Sequence, residues 1–224
     1  MILFITRELR PNSPLQRVTE KGHTLLGQSG IAFTPLPFTD FPDTDWLFFY
    51  SQQGIRFFFE GLSEEAKKST YSKKMGVMGK ASSALLQELT HKSPDYVSGM
   101  DLEKEQSQFK KITQNQSFLF VEASHSNKRF QDPGNKRHFA LKVYDNVVLS
   151  GLQLPDANVY IFTSPLNVQA FLHTQLPQPG THIVAIGEPT AKTLFAYTQR
   201  NDIIIANRSD EEGILSSLAA IISL

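Results

Sequence analysis

Short apolar runs recur along the chain, each followed by a turn and then by a segment with helical spacing. ILFIT (2–6), WLFFY (46–50), KMGVMG (74–79), SFLFVEA (117–123), VYIFTS (159–164), HIVAIG (182–187) and DIIIAN (202–207) are apolar at nearly every position. A strand with one wet face would alternate, so these runs predict strands buried on both faces, as in a parallel sheet. Residues 95–99 and 139–149 add a weak and a long strand. The intervening apolar residues fall three or four apart. This predicts helices over about 14–28, 52–61, 80–90, 102–111, 165–173, 189–199 and 210–224. Strands alternating with helices place the chain in the α/β class.

The pattern also repeats. FFYSQQGIRFF (48–58) and YIFTSPLNVQAF (160–171) share an apolar run, a serine, a polar turn and a helical pattern, with Ser51 and Ser164 standing 113 positions apart. VMGKASSALL (77–86) lies over AIGEPTAKTL (185–194), placing Gly79 on Gly187 and Ser82 on Thr190. Such a period is too long for stacked repeats and predicts two similar domains. The halves are unequal, and the strand and helix of residues 1–30 complete the C-terminal half. The first domain is therefore expected to be discontinuous, 1–34 with 150–224, and the second to be an insert over 42–140. Residues 35–41 and 141–149 would be extended linkers, with Pro35 and Pro37 disfavouring helix in the outgoing one. Paired linkers would form a hinge, with a ligand cleft between the domains.

Composition narrows the chemistry. The 224 residues carry no net charge, so bulk charge points to neither nucleic acid nor a membrane surface as partner. No cysteine is present, which excludes disulfides, thiolate catalysis and cysteine-ligated zinc. The six histidines form no HxH or HxxxH pair, so no metal is expected. The basic residues of the N-terminus follow its apolar run, where a signal peptide has them first. No segment reaches the roughly 18 apolar residues of a membrane span. The sequons at Asn115 and Asn207 read as chance matches. GxSxG, Walker A and GxGxxG patterns are absent, so nothing supports a serine triad or a nucleotide site.

In open parallel sheets ligands bind beyond the strand C-termini. Thr6-Arg7, Ser51-Gln52, Gly79-Lys80, Thr163-Ser164 and Gly187-Glu188 occupy such ends. Helices start there, so their N–H groups and positive dipole ends suit an anion. Ser51 and Ser164 also read as ordinary N-caps, a role compatible with ligand binding. Gly79 and Gly187 read as tight-turn residues. Lys128-Arg129 and Lys136-Arg137, around Asp132-Pro-Gly134, form a basic segment that is either a solvated loop or a lid over a polyanion. Tyr144, in LKVYDNVV on the returning linker, is either a packing aromatic or a phenol able to donate a proton.

Together these residues resemble the uroporphyrinogen-III synthase family. The features that match are the opening FITRE, the strand ends YSQQGIRFF and FTSPLNVQAF, VYDNVV, AIGEPTAKTL and the late RSDEEGILSSL, and they extend over nearly the whole chain. The resemblance implies two flavodoxin-like doubly wound parallel-sheet domains joined by a two-stranded β linker, with the active-site cleft between them. It implies a cofactor-independent cyclising lyase that closes linear hydroxymethylbilane into uroporphyrinogen III, inverting ring D and losing water. By motif, Tyr144 is the candidate acid; Arg7, Ser51, Gln52, Lys80, Ser164 and Thr190 are candidate contacts to substrate carboxylates. A monomeric cytoplasmic enzyme is expected, with hydroxymethylbilane synthase as a candidate donor of its substrate. The alternative is a non-enzymatic tetrapyrrole-binding or sensor protein with the same fold. Glu8 stands where the family commonly has proline, Tyr50-Ser51 where it has Thr-Ser, and FVEAS (120–124) lacks a frequent arginine, for which Ser124, Lys128 or Arg129 would have to substitute.

Overall fold

The computed structural model describes residues 1–99, 102–112, 115–126, 130–132, 134–173 and 175–222. Lys128, Arg129 and Pro133 of the basic segment, and the last two residues of the helix expected to reach 224, lie outside the described residues.

In chain order the elements are β1 (Ile2–Ile5), a 3-10 turn (Pro14–Gln16) leading into α1 (Arg17–Glu20), β2 (Thr24–Gly27), β3 (Ile31–Pro35), β4 (Trp46–Phe49), α2 (Gln52–Glu60), α3 (Glu64–Thr70), β5 (Lys74–Met78) and α4 (Gly79–Thr90). There follow β6 (Tyr96–Ser98), α5 (Leu102–Ile112), β7 (Phe118–Ala123), β8 (His138–Val148), β9 (Val159–Phe162), α6 (Pro165–Leu172), β10 (His182–Ala185), α7 (Glu188–Thr198), β11 (Ile204–Ile205) and α8 (Glu211–Leu218). The chain forms two compact units: Met1–Ala32 with Val147–Leu224, and Phe33–Asn146.

The first unit is built on a five-stranded sheet in the order β11-β10-β9-β1-β2, all parallel. Its central strands β1 and β9 are apolar throughout because both faces are covered. Leu3, Ile5, Val159, Ile161 and Val184 pack with Leu15, Val18 and the α8 residues Ile214, Leu215 and Leu218. The alternate positions Phe4, Tyr160, Phe162, Ile183 and Ala185 meet Val168 and Phe171 of α6 and Leu194 of α7. The second unit has the order β3-β8-β7-β4-β5-β6. Leu47, Phe49, Val77 and Val121 pack against Ile55, Phe58, Leu85 and Leu86 of α2 and α4. The opposite face is mainly aromatic: Trp46, Phe48, Phe118 and Phe120 meet Phe109 and Phe130.

Two local expectations fail. Residues 14–28 are not one helix; a short helical turn ends near Gly22, whose φ of 80° favours glycine, and Thr24–Gly27 then joins the sheet beside β1. Gly187 is not in a left-handed turn either. Its φ of 177° is ordinary extended backbone, and glycine is favoured there by crowding, since a Cβ would stand 3.0 Å from Ser209 Oγ. Gly79, by contrast, has φ 78°.

Candidate functional site

In each sheet the chain returns to the middle and grows in the other direction. The seams lie between β1 and β9 in the first unit and between β4 and β7 in the second. Ligands of doubly wound sheets bind beyond the strand C-termini at such seams.

At the second unit's seam, Ser51 leaves β4 in extended backbone and caps α2, with the Gly54 N–H donating to Ser51 Oγ at 3.0 Å. The same oxygen lies 2.9 Å from the Tyr144 hydroxyl. The Tyr144 ring stacks on Phe57 at 5.5 Å and meets Phe33 edge-on at 5.9 Å. Gly54 leaves room for this: a Cβ would sit 3.3 Å from Ser51 Oγ and 3.9 Å from Tyr144 Cε1.

A β-bulge aims Tyr144 at the cap. β8 pairs with β7 residue for residue as far as Glu122 with Lys142, and then Ala123 pairs with Tyr144, leaving Val143 over. Neighbouring strand residues normally point to opposite faces. The extra residue puts Val143 and Tyr144 into one apolar cluster with Phe49 and Ile55. Burial raises the phenol pKa, opposed by the Ser51 hydrogen bond, so the proton is held at neutral pH. The other side of the seam is also polar. The Tyr50 hydroxyl accepts the Phe130 N–H at 3.2 Å, and burial is the chief cause of its raised pKa. The fully buried Glu122 accepts from Gln131 Nε2 at 2.6 Å.

At the first unit's seam the strand ends are clamped. The Thr163 N–H donates to Thr6 Oγ1 at 3.0 Å, and Thr163 Oγ1 donates to the Thr6 carbonyl at 2.8 Å. Ser164 caps α6 by accepting from Asn167 N at 3.2 Å, and it also accepts from Asn167 Nδ2 at 3.1 Å. The other end of that amide, Asn167 Oδ1, takes the Gly30 N–H at 2.7 Å. Arg7 pairs with Glu211 at the start of α8, and Ser13 Oγ donates to the same carboxylate at 2.7 Å. Burial lowers the Arg7 pKa, and Glu211 opposes this.

Ser51, Gln52 and Tyr144 thus gather at one seam, with Lys80 exposed on α4, which follows the neighbouring strand. Ser164 and Arg7 end adjacent strands of the other unit, while Thr190 is buried in the first turn of α7. Arg7 is already engaged by a carboxylate of its own chain. Asn167, the Thr6–Thr163 clamp and Glu122 escaped the sequence reading. Glu122 had left a signal, as the one charge in the otherwise apolar run SFLFVEA. Among the described residues no three His, Cys, Asp or Glu side chains gather as metal ligands.

Fold and site define an α/β protein of two doubly wound units, each with a serine-capped helix at its seam. The chain belongs to the family described as uroporphyrinogen-III synthase HemD, whose model matches residues 29–216. The solved uroporphyrinogen-III synthetase of Helicobacter pylori 26695 is similar in fold, with a TM-score of 0.72 and 19% identity over 98% of this chain and 99% of that one. A mutant uroporphyrinogen III synthase from the extremely thermophilic bacterium Thermus thermophilus aligns with a TM-score of 0.53 and 13% identity over 99% and 98% of the two chains. No curated protein matches the sequence closely enough to count.

Proposed function

We propose that the protein closes hydroxymethylbilane into uroporphyrinogen III, inverting ring D and releasing water. Its place in the HemD family carries this reading. The ring-A C–O bond breaks with its electron pair on oxygen, and a proton completes the water. The substituted carbon of ring D attacks the resulting azafulvene, and the spiro intermediate fragments. Ring D rejoins through its unsubstituted carbon, which gives up the balancing proton. Uncatalysed closure yields the type I isomer, so the protein's chief task is to fold its substrate into one ring geometry.

Tyr144 is the candidate acid, since its buried phenol keeps its proton at neutral pH. The first-turn N–H groups of α2, next to Gln52, have no carbonyl below them within the helix and suit substrate carboxylates. Lys80, Ser164 and Thr190 are assigned to the same role. Arg7 is a weaker candidate, because a substrate carboxylate would have to compete with Glu211. We assign the reaction no cofactor, and the protein a monomeric state in the cytoplasm, taking its substrate directly or from hydroxymethylbilane synthase. No described helix is long and apolar enough to cross a membrane. The test is to supply hydroxymethylbilane and separate the oxidised isomers. Type III product is expected; type I alone, at the uncatalysed rate, overturns the proposal.

A further inference from the structure

Ser51 Oγ has two neighbours: the Gly54 N–H at 3.0 Å and the Tyr144 hydroxyl at 2.9 Å. A serine hydroxyl has one proton to give and two lone pairs to accept with. The cap uses one lone pair, because the amide can only donate. Two arrangements remain for the contact with Tyr144. If the phenol donates to the serine, its proton is turned into α2 and withheld from any ligand. If the serine donates, the phenol oxygen is held from behind and the phenol proton points elsewhere.

We propose that Ser51 is a positioning residue: its hydroxyl donates to the Tyr144 oxygen, leaving the phenol proton for the departing hydroxyl of the substrate. This rests on the reading of Tyr144 as the acid. One side chain then does two jobs that a sequence reading treats as one. It ends α2, and it selects the direction of the phenol proton. After the transfer the phenolate keeps the Ser51 O–H as donor until ring D returns the proton, so the step balances without another reactant. The rings packed on the phenol from other elements are uncharged: Phe57 from α2 and Phe33 from β3. On β8 itself Lys142 is exposed and Asp145 half-buried.

Ser51→Gly separates the two jobs, because glycine caps a helix almost as well as serine but has no hydroxyl. The Tyr144 ionisation can be followed through the Cζ resonance of ¹³C-labelled tyrosine, assigned with Tyr144→Phe. If Ser51 donates, Ser51→Gly moves the ionisation to higher pH, and type III turnover at neutral pH falls roughly tenfold, the worth of one hydrogen bond to a developing charge. Ser51→Thr restores both. An ionisation that is unmoved or moves to lower pH overturns the proposal, as does full turnover in Ser51→Gly at neutral pH. If the protein never makes the type III isomer, the proposed activity fails, while the Cζ titration still reports whether the Ser51 hydroxyl supports the Tyr144 phenolate.

Discussion

The two units solve one local problem in the same way and then diverge. Ser51 and Ser164 both follow a buried strand, both adopt extended backbone, and both accept the N–H three residues on. What differs is the second partner of each oxygen. Ser51 meets a phenol on a bulged strand; Ser164 meets the Asn167 amide, whose other end holds the Gly30 backbone. The same cap thus serves a group with a transferable proton in one unit and a structural brace in the other. A strand-end serine is therefore uninformative about chemistry until its second partner is known.

The comparison can be broken by exchanging effects between activity and stability. The largest effect is expected from Tyr144→Phe, which keeps the ring stacked on Phe57 but removes the proton. Turnover should drop roughly 10²-fold, at the low end for a general acid, with thermal unfolding nearly unchanged. Retained turnover would leave the work to geometry and main-chain donors. Asn167→Ala should do the reverse. It strands the buried Gly30 N–H and should cost about 1–3 kcal/mol in urea unfolding, while the folded fraction still makes the type III isomer. Loss of isomer selectivity out of proportion to folding would show that the Asn167 brace also sets how Ser164 meets the substrate. Ser164→Ala should cost about 1 kcal/mol, a typical cap value; a much larger loss would mean that the brace depends on the serine.

The smallest effect concerns acid. The Asp202 pKa is lowered from 3.8 to about 2, chiefly by its hydrogen bonds from Arg200, and Asp210, which caps α8, is also lowered, chiefly by the Gly213 N–H. A depressed folded-state pKa gives stability that is present above the unfolded value and lost as pH falls through the folded one. Asp202→Asn should therefore flatten the pH dependence of the melting temperature between about pH 4 and 2. Since the pair is exposed, only a small change is expected. An unchanged acid limb would remove Arg200–Asp202 from the account.

Fold class was legible because burial on both faces leaves no alternating polar positions in WLFF or VYIF to mistake for an amphipathic strand. The failures have physical causes. Leu15, Val18 and Leu25 fit a helical spacing, yet Gly22 ends the helix and Leu25 belongs to β2. α3 was not foreseen because EEAKKST buries only Thr70 and so carries no apolar stripe. At the site, residue types could be read from strand ends, but partners could not. Ser51 and Tyr144 are 93 positions apart, and their meeting depends on a bulge defined by the register of β8 on β7. Nor could the sequence disclose that Arg7 is occupied by Glu211.

The discontinuity of the first unit also sets a timetable. β1 is flanked by β2 and β9, and β9 lies in the stretch Val147–Leu224, which is made only after all of Phe33–Asn146. On the ribosome, the opening strand must wait with one edge unpaired and Phe4 uncovered while the insert is synthesised and can fold. β1 is thus made before the insert and sheltered only after it. An arrest of synthesis just after Asn146 should yield a folded insert with an aggregation-prone leader, so the pace of translation past that point is a quantity this architecture makes important.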